Sequence, residues 1–210
     1  MPTNDSKALL ELRHGTRDFA LAPLPAIEIQ HAWFKVARSR AWNTLAIVPI
    51  NDTVSGLTLA QGMGQMAGQE PGARVLVVDA SIRGCQPGGR RSSPLDAPAE
   101  LDDLGSILSE GLHGRFDFMD FSLLPADDAE RALALGPQLL DYASGEGSRY
   151  STVIMAVDSP LSQTRSIPAA RAADAVILCM GLNETTFGEC GEVIEMVGRE
   201  HIIGSIIVKP

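Results

Sequence analysis

Two aspartates are the residues best placed to do chemistry. Asp79 closes the run Val75–Asp79 (VLVVD), and Asp158 follows the run Thr152–Val157 (TVIMAV). Nearly continuous apolar runs of this length read as strands buried on both faces. A carboxylate at the carboxyl end of such a strand stands where open α/β sheets hold ligands. Side by side, two such carboxylates can bind a divalent cation such as magnesium. Separately, each can cap a following helix or accept backbone N–H bonds. Both readings stay open for Asp79 and Asp158. The natural further wall of a site between them is the turn Ile50–Ala60 (INDTVSGLTLA). A phosphate cradle needs clustered backbone N–H groups and a cation, yet this turn has one glycine, Gly56, and no lysine. Ser55 and Thr58 supply hydroxyls, and Thr58 reads either as a metal ligand or as a residue of a helix's first turn. The pattern is that of a nucleotide site without its phosphate clamp.

Those residues need a scaffold, and hydropathy periodicity supplies one. Strands are predicted at Leu45–Ile50, Val75–Asp79, Phe116–Leu124, Thr152–Val157, Ala175–Met180 and Ser205–Val208. Helices are predicted between them, at Ile27–Arg40, Ser55–Met66, Leu104–Leu112, Asp127–Tyr142, Ile167–Ala173 and Glu189–Arg199. In Ser55–Met66, Leu59, Met63 and Met66 fall on one helical face. Short β-branched runs alternating with amphipathic segments predict a three-layer α/β sandwich with a mostly parallel sheet. Residues 1–25 have weak periodicity and three prolines, which predicts an extended or poorly ordered N-terminal arm before one domain at 26–210. The stretch Arg83–Pro98, rich in Gly, Pro, Ser and Arg, reads as a surface loop just beyond the Asp79 strand. It is either a binding loop or a solvated connector.

Bulk composition narrows the function classes. The chain has 210 residues, a net charge of −9 and only three lysines, Lys7, Lys35 and Lys209. An acidic chain of this kind repels polyphosphate backbones, so nucleic acid is not an expected partner. Cys85, Cys179 and Cys190 show no paired spacing, which argues against a disulfide framework and fits a reducing cytoplasm. His14, His31, His113 and His201 show no metal-ligand spacing. No apolar run approaches the ~18–20 residues that span a bilayer. Any membrane association is therefore expected through a partner.

From about Ala26 onward, four segments in order carry a family resemblance. Val75–Arg83 (VLVVDASIR) is similar to a second Walker strand, an apolar run ending Asp-Ala-Asp-Leu-Arg. Leu104–Ala126 resembles a helix and loop leading to a strand that closes on Leu-Pro-Ala. Arg149–Leu161 (RYSTVIMAVDSPL) resembles a Walker B strand, with Asp158, Ser159 and Pro160 in the places of Asp-Thr-Pro. RAADAVILCMG followed by VIEMVGREHIIGSIIV resembles the closing strand–helix–strand. Together they resemble the cytoplasmic domain of bacterial tyrosine kinases of the capsular and exopolysaccharide type, within the Min/Par-like deviant-Walker P-loop ATPases. The resemblance implies a P-loop NTPase-like fold and a vestigial nucleotide site at Ser55, Gly56, Thr58 and Asp79, with Thr58, Asp79 and Asp158 around any magnesium.

Departures from the family pattern fall on the chemistry. Gly56 or Leu57 sits where the family has its lysine, and Ser81 replaces the second carboxylate of the Asp79 strand. The last strand runs on to Val208 and Lys209 where the family has asparagine, and the tyrosine-rich tail is missing. Phosphoryl transfer depends on charge placed around the γ-phosphate, so loss of the lysine removes what matters most. Arg83, Arg90 and Arg91 are the only nearby substitutes, on a loop that would position phosphate poorly. The expectation is a non-catalytic regulatory or scaffold protein in exopolysaccharide or capsule biosynthesis and export, with no cofactor. It would dock at the cytoplasmic face of the inner membrane on a membrane-embedded co-polymerase, the chain-length regulator. The alternative is an active ATP-binding tyrosine autokinase or Min/Par-like ATPase using ATP and magnesium through an unusual loop. The helix with Trp33, Phe34, Lys35 and Arg38 stands where the family has a basic oligomerisation helix. Its aromatic and basic residues fit an interface, including a homo-oligomer's, or packing on the chain's own sheet.

Overall fold

The structure is a computed structural model and describes residues 26–39, 41–82, 107–112, 116–145 and 148–209. The N-terminal arm and the Arg83–Pro98 loop lie outside these residues. Seven strands form one sheet: β1 Thr44–Pro49, β2 Val75–Asp79, β3 Leu108–Leu112, β4 Phe116–Asp120, β5 Thr152–Ala156, β6 Ala175–Gly181 and β7 Ile202–Val208. Their order across the sheet is β3-β4-β2-β5-β1-β6-β7. Every pairing is parallel except β3 with β4. Among the described residues six helices cover it: α1 Ala26–Ser39, α2 Leu57–Ala67, α3 Ala126–Ala134, α4 Gly136–Ser144, α5 Ser166–Ala172 and α6 Phe187–Val197. The three-layer α/β sandwich and its mostly parallel sheet are what the sequence predicts.

The apolar runs become the central strands because both faces are covered. On one face Leu45, Ile47, Val75, Val77, Ile154 and Ile177 pack with α1 and α2 through Trp33, Val36, Leu59, Ala60, Met63 and Ala67. On the other, Ala46, Val48, Leu76, Val78, Val153 and Met155 meet Leu133, Leu139, Leu140, Ala169, Val193 and Val197 of α3 to α6. Alternate residues of one strand thus feed two cores, as the period of two requires. α2 comes so close to α1 that a Cβ on Gly62 would lie 2.7 Å from the Ile29 Cδ1 atom.

Three predicted elements differ. Leu104–Leu112 was expected as a helix, but its described part, Leu108–Leu112, is an antiparallel edge strand on β4. Its leucines four apart fit a helical face, and only the tertiary pairing decides otherwise. The helix expected at Asp127–Tyr142 is two, broken at Leu135, with Gly136-Pro137 opening α4 in the place that favours proline. Gly136 also lets α4 close on α5, since a Cβ there would sit 2.7 Å from that of Ala169. The strand expected to Leu124 ends at Asp120 and continues as a 3-10 turn, Phe121–Leu123, capped by the Asp120 carboxylate accepting from Ser122 N–H at 2.9 Å.

Candidate functional site

β2 and β5 are hydrogen-bonded neighbours with Asp79 in register with Ala156, two residues before Asp158. The two aspartates therefore do share one end of the sheet. With the β1–α2 turn they enclose a cleft of about 320 Å³, lined by Pro49, Asp52, Thr53, Val54, Ser55, Leu57, Asp79, Ser81, Val157 and Asp158. It lies outside the carboxyl ends of the strands, the usual ligand position in such sheets.

Each predicted site residue can now be placed. Ser55, Asp79 and Asp158 line the cleft. Gly56 does not; it is buried beneath the turn, where a Cβ would lie 3.0 Å from Ile47 Cγ2 and 3.2 Å from the Ile47 carbonyl oxygen. Thr58 is a first-turn residue of α2 and is not among the residues that line the cleft. Trp33 is 5 % exposed, packs edge-on against Trp42 and donates its indole N–H to Glu70 at 3.3 Å. It belongs to the core, whereas Phe34, Lys35 and Arg38 of the same helix face outward.

The turn holds itself together. Ile50 N–H donates to the Cys179 carbonyl at 2.9 Å, and the Ser159 hydroxyl donates to the Ile50 carbonyl at 2.6 Å. The Asn51 side chain accepts from Thr53 N–H at 3.3 Å and from its hydroxyl at 2.6 Å, while donating to the Glu184 carbonyl at 2.9 Å. Leu57 N–H donates to the Ser55 hydroxyl at 3.2 Å. A phosphate cradle works by leaving such N–H groups pointed at an anion. Here those of Thr53 and Leu57 already have side-chain partners.

The charge of the cleft runs the same way. Asp52, Asp79 and Asp158 are three carboxylates, and no lysine or arginine is among the described lining residues. Asp79 is 5 % exposed, and burial pushes its carboxyl up to about 6. The Ser81 N–H, donating at 3.1 Å, pulls back the other way, and the Asp120 and Asp158 charges add to the rise. Asp158 accepts from Ile82 N–H at 2.8 Å, and Asp52 accepts from the Ser162 hydroxyl at 2.8 Å. Among the described residues no group of three or more His, Cys, Asp or Glu is arranged to hold a metal ion. Asp79 and Asp158 have the chemistry to hold a magnesium ion, but the described lining has no lysine or arginine to meet a triphosphate.

Sequence reasoning missed Asp52 and Asp120. Asp120 pairs in register with Asp79 across β2 and β4, so it raises the neighbour's proton affinity without lining the cleft. The signal for Asp120 was a second apolar run ending in Asp, FDFMD, hidden by reading the strand past it. Asp52 lay in the turn all along, but a search for a missing lysine passes over an added carboxylate.

No protein-family model and no curated protein matches the sequence. Solved structures do match by shape. The VpsO kinase domain superposes with a TM-score of 0.67 at 17 % identity, covering 99 % of this chain and all of that one. The kinase domain of the Escherichia coli tyrosine kinase ETK gives a TM-score of 0.67 at 17 % identity, covering 88 % of this chain and 74 % of that one. A ParA family ATPase from Chlorobium tepidum TLS gives a TM-score of 0.50 at 14 % identity, over 80 % of this chain and 73 % of that one. The fold is therefore the P-loop NTPase-like one of bacterial tyrosine kinase domains and ParA-type ATPases, as the four matched segments imply. Among the described residues no helix is long and apolar enough to cross a membrane.

Proposed function

We propose that this chain is a non-catalytic relative of the bacterial tyrosine kinase domains, serving as a regulatory or scaffold protein in exopolysaccharide or capsule biosynthesis and export. The observation that supports it best is the cleft: three carboxylates line the place where terminal phosphates would lie, and the described lining offers no cation to meet them. Carboxylates lining a cleft repel the like charge of a polyphosphate. The sugar-polymer setting rests on the family resemblance. So does the partner, a membrane-embedded co-polymerase engaged at its cytoplasmic face through the outward residues Phe34, Lys35 and Arg38. The protein would then be peripheral to the inner membrane through that contact.

A second reading, an ATP-binding autokinase or Min/Par-like ATPase, draws on Asp79 and Asp158 sharing the cleft. Isothermal titration with ATP and magnesium separates the two. No measurable heat is expected. Micromolar binding that is abolished in Asp79→Ala would overturn the proposal in favour of the enzyme.

A further inference from the structure

A glycine inside a helix weakens it relative to alanine, so each one asks for a reason. Gly62 and Gly136 have one: a Cβ on either would lie 2.7 Å from a neighbouring side chain. The two glycines of α6 do not. A Cβ on Gly191 would meet nothing within 4 Å, and one on Gly188 only the Thr186 hydroxyl at 3.9 Å. Both lie on the side of α6 turned away from the sheet. Val193 and Val197 are buried in the core, whereas Phe187, Gly188, Gly191, Glu192 and Glu195 are all exposed. The rows Phe187–Gly191–Glu195 and Gly188–Glu192 step by four, so they make one continuous face. Phe187 heads that face with 99 % of its surface in water. The start of the helix is fixed, because Thr186 and Glu189 cap it reciprocally and the Asn51 side chain holds the turn before it through the Glu184 carbonyl at 2.9 Å.

We infer that the outward face of α6 is a docking surface for a basic amphipathic helix of another protein. Phe187 is the anchor, and the bare backbone at Gly188 and Gly191 lets a second helix approach more closely than side chains would allow. Charge selects the partner. Residues 182–200 hold five glutamates against Arg199 alone, which is −4 of the chain's net −9 in one short stretch. Among the described residues no ion pair engages Glu184, Glu192 or Glu195. Such a face repels nucleic acid and anionic lipid, whose charge has the same sign. It complements a helix that borders an apolar stripe with lysine or arginine. The inference is independent of whether the cleft takes a nucleotide and of the contact proposed for α1.

Fluorescence anisotropy on the whole chain tests it, with a labelled synthetic helix that borders a leucine stripe with lysines and arginines. Micromolar binding is expected, and none for the same peptide with glutamates in the basic places. Phe187→Ala, and Glu192→Lys with Glu195→Lys, should each weaken binding about tenfold or more. Gly191→Ala separates docking from folding: it should raise the melting temperature by about 2 °C and still weaken binding severalfold. A lowered melting temperature would give that glycine a structural role and overturn the inference. So would no binding of the basic peptide, or binding that all the variants retain. Equally tight binding of a peptide of the same composition in scrambled order would mean charge attraction alone, and also overturns it. Self-association of the chain that is lost in Phe187→Ala would put a second copy on the face, and overturns the choice of partner.

Discussion

The two ends of the strands use the same residue type to opposite effect. At the amino ends, Asp174 accepts from Asn43 N–H, Thr44 N–H and the Thr44 hydroxyl, each at 2.9 Å, and Thr44 returns the favour by accepting from Asp174 N–H at 2.8 Å. Nearby, Asp117 accepts from Arg149 at 3.0 Å and from the Tyr150 hydroxyl at 2.8 Å, with the guanidinium 4.9 Å from the Tyr150 ring centre. Burial and the hydrogen bond to Asp117 push the Tyr150 phenol up to about 12, although Arg149 opposes them, so it stays a donor. At the carboxyl ends, Asp79 is buried beside Asp120 and Asp158, and its charge is opposed rather than matched. One end stabilises the fold through its carboxylates; the other tolerates them.

The largest effect should come from the satisfied end. Asp174→Ala removes the acceptor of three hydrogen bonds and leaves buried Thr44 short of partners, costing about 3 kcal/mol in urea unfolding. A loss below about 1 kcal/mol would erase the contrast between the ends.

The sharpest contrast comes from Asp79→Asn. Folded Asp79 titrates near 6 against an ordinary 3.8, so the fold prefers it protonated. The native state therefore gains stability from this group as pH falls from above 6 toward 3.8, and loses it as pH rises through 6. An amide mimics the protonated form. Asp79→Asn should stabilise the protein by about 2 kcal/mol at pH near 8 and by nothing near pH 3. Thermal melts of both proteins across pH check this, and a destabilised variant at pH 8 would mean the charge has a partner after all.

Tyr150→Phe deletes one donor to Asp117 and should cost about 1 kcal/mol by chemical denaturation. Smallest of all, Ser55→Lys adds a cation to the cleft rim. It should lower the Asp79 carboxyl and shrink the benefit of Asp79→Asn by a few tenths of a kcal/mol, screened by salt. A double-mutant cycle reads that coupling.

Much of this was legible in the chain and some was not. VLVVD, TVIMA and AVILCMG announce themselves because strands covered on both faces must be apolar throughout. Glycines close α2, α4 and α6 and mark where those helices stop. Local pattern cannot tell a leucine pair on an edge strand from one on a helix, which is why β3 was misread. It cannot say which of two adjacent aromatics turns inward either; Trp33 does so because Glu70 and Trp42 are there to receive it. Thr58 lies in the first turn of α2, as one of its two readings had it.

The self-bonded turn that follows β1 bears on any attempt to build a phosphate site here. The Thr53 amide hydrogen is engaged by Asn51 and that of Leu57 by Ser55, and Asn51 is anchored in turn to Glu184 beyond β6. Adding a lysine alone would thus not make an anion cradle, because several neighbours would have to let go together.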